Sequence, residues 1–453
     1  MKRSFCIFLL ILPLSIQAKS IDFDHAWQQL LQVSDKLQAG TQEINRAQAE
    51  QAAGEDMDLP SINLTGSYTR LEKPLELDLR DLNPVALINP LPALPASLFV
   101  TPFSEQDIFR SSLKAMWPIY TGGKITAAQA IHAAKVAEKE AQLTLTTRDL
   151  FVSLVDRYYA VSVTKALVDT QKQLVDSLTL HASHAQKLEA QGQIAKVERL
   201  SAQVALENAK VSYGSAKRQA EMAMIGLSRM LHEPQVDSLS PMFMLEKAPS
   251  LPQLSQLAMN QHPALKLLKA KEDQAQGLIN VEKGSYYPTV FLYGNYTLYE
   301  DDSLLSKLEP DWMVGVGVNI PLFSRDGRSG KVEAAKSALL QARYTKAQTQ
   351  QDLNLLLEQS YRQLLQAQEE VLSLNTSLSL AKENKRLRNI AFAQGLSTSI
   401  EKIDAELKLT AVETQQLAAQ YRYIQAYARL MAISGQLDEF IGRSLEPGEH
   451  NAH

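Results

Sequence analysis

The sequence holds a single cysteine, Cys6, among its 453 residues. A lone thiol closes no intrachain disulfide. Its place in the N-terminal apolar stretch leaves the rest of the chain without thiolate chemistry or cysteine-based metal ligation. Glycine and proline are scarce, 19 and 18 residues, which excludes collagenous and Pro/Gly-rich low-complexity chains and suits long uninterrupted helices. Neither sign of charge is in excess: 46 Lys and Arg against 50 Asp and Glu give a formal net charge of −4. No bulk basic field therefore recruits nucleic acid. Past the N-terminal stretch, no apolar run nears the roughly twenty residues a membrane helix needs, and mean hydropathy is −0.18. A membrane β-barrel is not excluded, because its strands are only half apolar.

Residues 1–18 join Lys2 and Arg3 to an apolar stretch from Phe5 to Ile16 and then to small Ala18. This three-part pattern predicts a secretory signal peptide cleaved after Ala18. Lys19 and Ser20 follow rather than a cysteine, so no lipid anchor is expected.

The remainder is internally repeated. Pro118-Ile119-Tyr120 recurs as Pro321-Leu322-Phe323, an offset of 203, and the same offset carries Gln191-Gly192 to Gln394-Gly395 and Val197-Glu198 to Ile400-Glu401. Earlier in each half the offset is 228: Pro60, Gly66, Tyr68 and Thr69 map to Pro288, Gly294, Tyr296 and Thr297. Two fixed registers identify a tandem duplication. The first half carries 25 extra residues, in the segment from Leu71 to Asp107 that holds Pro74, Pro84, Pro90, Pro92, Pro95 and Pro102. The expected organisation is a leader (1–18), a first repeat (19–235), a second repeat (236–437) and a polar tail (438–453).

Each repeat reads helix, strand, loop, strand, helical hairpin. Opening helices are expected over 23–54 and 252–284. Period-two alternation predicts strands at about 60–70, 108–119, 288–299 and 311–322. Each has about the length a tilted strand needs to cross a bilayer. Trp117, Tyr120, Trp312 and Phe323 fall near strand ends, where an interfacial aromatic girdle sits. Long helical runs follow over 124–190 and 328–393, each about 100 Å long at 1.5 Å per residue. Leu154, Val161, Val168 and Val175 recur every seven residues, as do Leu357, Leu364, Val371 and Leu378, which predicts coiled-coil packing. Gly192 and Gly395 end these helices, and return helices are expected over 196–232 and 399–435. Four strands cannot close a barrel, and open edges in lipid leave polar groups unpaired. The chain must oligomerise; two copies supply eight strands and three supply twelve.

Leu59-Pro60-Ser61-Ile62 running into Gly66-Ser67-Tyr68, then Pro118-Ile119-Tyr120-Thr121-Gly122-Gly123-Lys124, carry a family resemblance. Their counterparts are Tyr287-Pro288 with Gly294-Asn295-Tyr296, and Val318-Asn319-Ile320-Pro321-Leu322-Phe323. With these features the chain resembles the TolC-like outer membrane efflux proteins over nearly its whole length. The resemblance implies a mainly α chain with a membrane β-barrel: four transmembrane strands per protomer, twelve in a homotrimer, continuing into a long periplasmic coiled-coil α-barrel. It also implies an outer-membrane exit duct of a tripartite efflux or type I secretion system. The partners implied are a periplasmic adaptor, an inner-membrane transporter and outer-membrane lipid. Neither catalysis nor a cofactor is implied. A soluble periplasmic coiled-coil adaptor is the competing reading, which the four strands oppose.

The resemblance further points to Glu401 and Asp404, just past the second hairpin turn, as an acidic periplasmic aperture with Glu198 nearby. Val197, Glu198, Phe392 and Ser397 match positions that close the tips in the family; only Glu198 keeps the family's chemistry. Lys402, Arg386 and Arg388 are the candidate partners of Glu198. The tips at Gly192, Gly395, Leu396 and their neighbours match the family's adaptor-docking surface. His181 and His184 lie three apart on a helix rich in Gln and Ala. They are expected to be surface residues rather than metal ligands.

Overall fold

The computed structural model describes residues 19–78, 99–301, 306–307, 309–323 and 325–445. The expected leader, Pro84 to Pro95 of the enlarged loop, and residues 446–453 lie outside these. The chain is mainly α-helical with a four-stranded antiparallel sheet. In order, the elements are β1 (Lys19–Ile21), α1 (Phe23–Val33), α2 (Asp35–Glu55), β2 (Ser61–Arg70), β3 (Leu75–Asp78), β4 (Val100–Ser104), β5 (Asp107–Tyr120), α3 (Lys124–Ala190) and α4 (Lys196–Met230). The second half continues with β6 (Val236–Ser238), α5 (Leu251–Gln261), α6 (Pro263–Gly284), β7 (Thr289–Glu300), β8 (Trp312–Asn319), α7 (Arg328–Ala393), α8 (Ser399–Ser434) and α9 (Leu437–Leu445).

The element starts follow the repeat registers. Phe23 and Leu251, which open α1 and α5, are 228 apart, and Lys196 and Ser399, which open α4 and α8, are 203 apart. Each expected opening helix is instead two helices, broken at Ser34 and at His262, again 228 apart. The causes differ. Pro263 pushes His262 out of the helical region, whereas the Ser34 hydroxyl accepts from the Leu37 N–H and so caps a new helix. The enlarged loop is not wholly irregular, since β3 and β4 pair antiparallel within it. Residues 437–445, expected in the polar tail from 438, form α9, whose Phe440 ring is fully buried.

The structure divides into two compact units, each taking segments from both repeats. One comprises Met1–Glu43, Lys139–Leu267 and Thr345–His453. Its core is aromatic: Phe23 packs edge-on against Phe151 and Tyr158, and Phe440 packs on Phe151, Phe243 and Tyr427. Leu154, Val161, Leu357, Leu364 and Val371 are buried as the heptads require, while Val168, Val175 and Leu378 are half-buried. An α-helix drifts about 20° per heptad, so burial passes to Leu174 and Leu178 further along α3. The short β1 lies parallel to β6. Tyr158 fastens this strand, donating to the Ile21 carbonyl at 2.8 Å and accepting from the N–H groups of Leu239 and Ser240.

The other unit, Ile44–Glu138 and Leu268–Tyr344, holds the four-stranded sheet in the order β2-β5-β7-β8, every pair antiparallel. Gly122 and Gly123 turn the chain from β5 into α3 at φ +66° and +81°, a region L side chains rarely occupy. Gly327 does the same before α7. There the Arg328 guanidinium donates to the carbonyls of Ser285 and Pro321 and lies over the Tyr286 ring.

Candidate functional site

The sheet has two unlike faces. Side chains directly opposite across an antiparallel pair share a face, and the register aligns Ile62 with Ala115, Leu64 with Leu113 and Tyr68 with Phe109. It then aligns Trp117 with Leu292, Leu113 with Tyr296, Leu292 with Val316 and Tyr296 with Trp312. One face is therefore apolar across all four strands. It is also open: Ile62, Leu64, Val314 and Val316 are 64%, 68%, 73% and 63% exposed. The other face carries Asn63, Thr65, Arg110, Ser112, Lys114, Asn295, Thr297, Met313 and Asn319, with Thr65 and Ser112 hydrogen-bonded at 2.9 Å. On that face the rings of Tyr293 and Phe291 lie across from Gly315 and Gly317. Aromatics mark both ends of the strands. Trp117, Tyr120 and Phe323 lie at the end that joins the helices, and the Trp117 indole donates to the Asp58 carbonyl at 2.8 Å. Trp312 lies at the far end with Tyr68, Phe109 and Tyr299, aromatic positions that the sequence reading omitted.

The second candidate site is the pair of hairpin tips. Each first helix ends in a Schellman motif: Gln193 N–H bonds Leu188 O and Gly192 N–H bonds Glu189 O, and Leu396 and Gly395 repeat the pattern on Ala391 and Phe392. Gly192 and Gly395 take φ +73° and +74°. The return helices begin differently. On α8, Thr398 and Glu401 form a reciprocal capping box, the carboxylate accepting from Thr398 N–H while Glu401 N–H donates to the Thr398 hydroxyl. The Ser397 hydroxyl donates to the same carboxylate oxygen at 2.6 Å, and Arg388 pairs with it at 3.2 Å. Hydrogen bonds from Ser397 and the Thr398 N–H, and then the Arg388 charge, hold Glu401 below the usual carboxylate range. On α4, Ala195 offers no side-chain cap. Glu198 reaches instead to the second hairpin, accepting from Ser399 N–H at 3.3 Å.

Ser399 joins the tips a second time. Its fully buried hydroxyl lies 2.7 Å from His181 Nε2, across from α3. His181 is 2% exposed, so the expectation of a surface residue is corrected; His184 is exposed. Burial, then the charges of Lys402 and His184, lowers the His181 pKa to about 4. Phe392 packs edge-on against the imidazole at 5.3 Å, and the Lys402 ammonium lies over the Phe392 ring at 5.1 Å. One turn further, Glu406 is buried and paired with Lys385 at 2.7 Å.

The residues read from sequence are thus only partly brought together. Glu198 and Phe392 lie at the joint between hairpins, whereas Ser397 bonds within its own hairpin and Val197 is 62% exposed. Asp404 and Leu396 are exposed. None of the three candidate cations pairs with Glu198 here: Arg386 pairs with Glu383, Arg388 with Glu401, and Lys402 covers Phe392. His181 and Ser399 were missed because their contact spans 218 residues of sequence. The Thr398-x-x-Glu401 signature was readable. Among the described residues, no group of three or more His, Cys, Asp or Glu is placed to hold a metal ion, and no helix is long and apolar enough to cross a membrane.

Comparison with known proteins bears on both sites. The chain is 23% identical over 332 residues to the cobalt-zinc-cadmium resistance protein CzcC of Cupriavidus metallidurans, spanning 72% of this chain and 75% of that protein. It is 25% identical over 246 residues to protein CyaE of Bordetella pertussis, 51% of each chain. Among solved structures, CusC superposes with a TM-score of 0.75 at 14% identity, covering 92% of this chain and 93% of that one. The open state of the MtrE outer membrane channel of Neisseria gonorrhoeae gives 0.72 at 16%, covering 91% and 89%. Residues 26–232 and 254–436 match the outer membrane efflux protein family, one segment in each repeat, and the chain belongs to that family.

Proposed function

We propose that this chain is the outer-membrane exit duct of a tripartite efflux or type I secretion system, working as a homotrimer. The open apolar face of the sheet carries the reading. A soluble protein covers such a face; here Ile62, Leu64, Val314, Val316 and Val318 are left bare, as lipid contact requires. From Phe109 to Tyr120 the strand spans about 36 Å, or about 25 Å of membrane depth at a 45° tilt, the height of an outer-membrane apolar band. The polar face then lines the lumen. The edges β2 and β8 are unpaired within the sheet, and three copies close them into a twelve-stranded barrel. The names of solved relatives, an outer membrane channel and a transmembrane channel, support the same reading.

The long hairpins form the periplasmic coiled-coil α-barrel, and their tips are its aperture. Glu401 and Asp404, with Glu198, contribute carboxylates from each copy to one narrow opening, which attracts cations. Val197, Phe392, Ser397 and Leu396 with the turn glycines Gly192 and Gly395 belong to closure and to docking of a periplasmic adaptor, which links the duct to an inner-membrane transporter. Residues 1–18 are the leader that exports the chain, and 19–235 and 236–437 are its two repeats. The relatives' names span metal resistance and alkaline protease secretion, so the proposal is confined to the duct and names no cargo.

Planar-bilayer recording of the purified protein tests the reading. A small, cation-selective, divalent-sensitive conductance is expected, and the E401Q/D404N pair should enlarge it and weaken divalent block. Unchanged conductance and selectivity in that pair would remove the aperture assignment. Failure to insert, with release from membranes by a carbonate wash, would replace the duct with a soluble coiled-coil adaptor.

A further inference from the structure

We propose that His181 is an acid-released latch between the two hairpin tips of one chain, holding Ser399 while the imidazole is neutral and letting it go when the ring is protonated. The inference rests on the duct reading only for its consequence, the opening of the aperture. The latch itself stands on geometry within one compact unit.

A neutral imidazole carries one N–H and one lone pair. At this site Nε2 is 2.7 Å from the Ser399 hydroxyl, and Nδ1 is buried with no hydrogen-bond partner among the described residues. The neutral ring fits by donating through Nε2 and leaving Nδ1 a bare lone pair. An imidazolium carries a second N–H with nowhere to donate, in a site that excludes water. The charges around the ring oppose it as well. On α3 itself, His184 bears on it, and on α8 the Lys402 ammonium does so. From α7, the ring meets Phe392, while Lys385 and Arg388 are engaged by Glu406 and Glu401 of α8. From α4, Glu198 is the nearby acid, and it is spent on the Ser399 N–H. No carboxylate is hydrogen-bonded to the imidazole among the described residues.

The direction of the effect follows. In the closed joint the ring titrates at about 4, against 6.5 for an ordinary imidazole. The closed form is therefore fully favoured above about pH 6.5 and loses that advantage as the pH falls towards about 4. At pH 5 the two values correspond to a shift of about thirtyfold towards the open form. The Ser399 N–H bond to Glu198 remains as the second tie, so acid loosens the joint rather than unfolding the tip.

The test uses the exported protein in detergent, which has no cysteine of its own once the leader carrying Cys6 is removed, with spin labels on cysteines introduced at the exposed positions Gln193 and Gln394. Tip-to-tip distances are measured by electron-electron double resonance from pH 7.5 to 4.5, beside single-channel recordings over the same range. In the parent protein the distances should lengthen and the open probability should rise between pH 6.5 and 4.5. H181Q, which keeps a donor for Ser399 but does not titrate, should be flat over that range. S399A, which keeps the titrating ring without its partner, should open at a higher pH than the parent. The E401Q/D404N pair should keep the pH response. Distances that do not change with pH, or a response that survives unchanged in H181Q, would overturn the latch. A pH-dependent tip distance in a protein that never conducts would uphold the latch and refute the duct.

Discussion

Glu406 of α8 is 5% exposed and accepts a 2.7 Å charge-assisted hydrogen bond from Lys385 of α7. Replacing the carboxylate in E406Q strips the counter-charge not only from Lys385 but also from Lys402, whose ammonium is attracted by Glu406 and pushed down in pKa chiefly by burial. Breaking a buried pair from one side costs about 3–5 kcal/mol. Lys385 is about one-third exposed and recovers some hydration, so about 3 kcal/mol is expected, near the lower end. K385M should cost less, about 1.5–2 kcal/mol, because Lys402 remains as a substitute partner for the stranded carboxylate. The apolar pair K385M/E406L should cost clearly less than E406Q alone, because Lys385 goes with its carboxylate and only the half-buried Lys402 ammonium is left without Glu406. Hydrogen exchange read by mass spectrometry provides the assay: about 3 kcal/mol accelerates exchange roughly a hundredfold in the turns around 382–389 and 403–410. Additive single variants, or a K385M effect as large as that of E406Q, would refute this account of the pair.

Other perturbations separate further parts of the structure. The Arg148 guanidinium donates to the carbonyls of Ala432 and Ile433 at the end of α8, so R148M should lose about 2 kcal/mol and expose the chain at Gly435 to limited proteolysis. G435A combines a left-handed backbone with a Cβ 2.6 Å from the Arg148 guanidinium, whereas G192A and G395A meet open space. Thermal unfolding should therefore fall measurably further in G435A than the roughly 1 kcal/mol expected of either tip variant. Y158F removes one hydrogen bond to β1, at the Ile21 carbonyl, and two from the N–H groups of Leu239 and Ser240 just past β6, at a cost of about 2–3 kcal/mol, and should free the segment at Lys19 to proteolysis. Glu401, held below the usual carboxylate range by Ser397, the Thr398 N–H and Arg388, keeps its capping charge further into acid than an ordinary carboxylate, so acid should loosen the His181 contact before it weakens the α8 cap. NMR titration of the two side chains would give the order.

Features governed by local periodicity were legible in the sequence. Two-residue alternation located the strands because one face of each is apolar, and the repeat offsets tied β2 to β7 and β5 to β8 before any pairing was known. The break at His262 was also legible in principle, since Pro263 follows it, but the break at Ser34 has only a hydroxyl to announce it. What stayed hidden depends on distant burial. His181 looks like a surface residue on a Gln- and Ala-rich helix until Ser399 and Phe392 cover it. The amphipathic α9 was obscured by its acidic start, Asp438 and Glu439, although Phe440 fills the aromatic core. Of the candidate site, the acids were readable by position, but not which helix each of them serves.

That last point separates the two repeats. Glu198 and Glu401 occupy equivalent positions, 203 apart, yet Glu401 caps its own helix while Glu198 serves the helix of the other hairpin, its own cap position being Ala195 where the repeat partner is Thr398. The neighbouring positions have diverged too: Arg199 pairs with Glu189 by charge, and their equivalents Lys402 and Phe392 meet through an aromatic face. One copy of the duplication has become self-sufficient and the other leans on it. In the trimer proposed above, the hairpins around the aperture would then meet at two alternating kinds of seam, and only the seam inside each chain carries His181 and Ser399. Parting those seams alone turns a ring of near-equal leaves into a three-leaved iris.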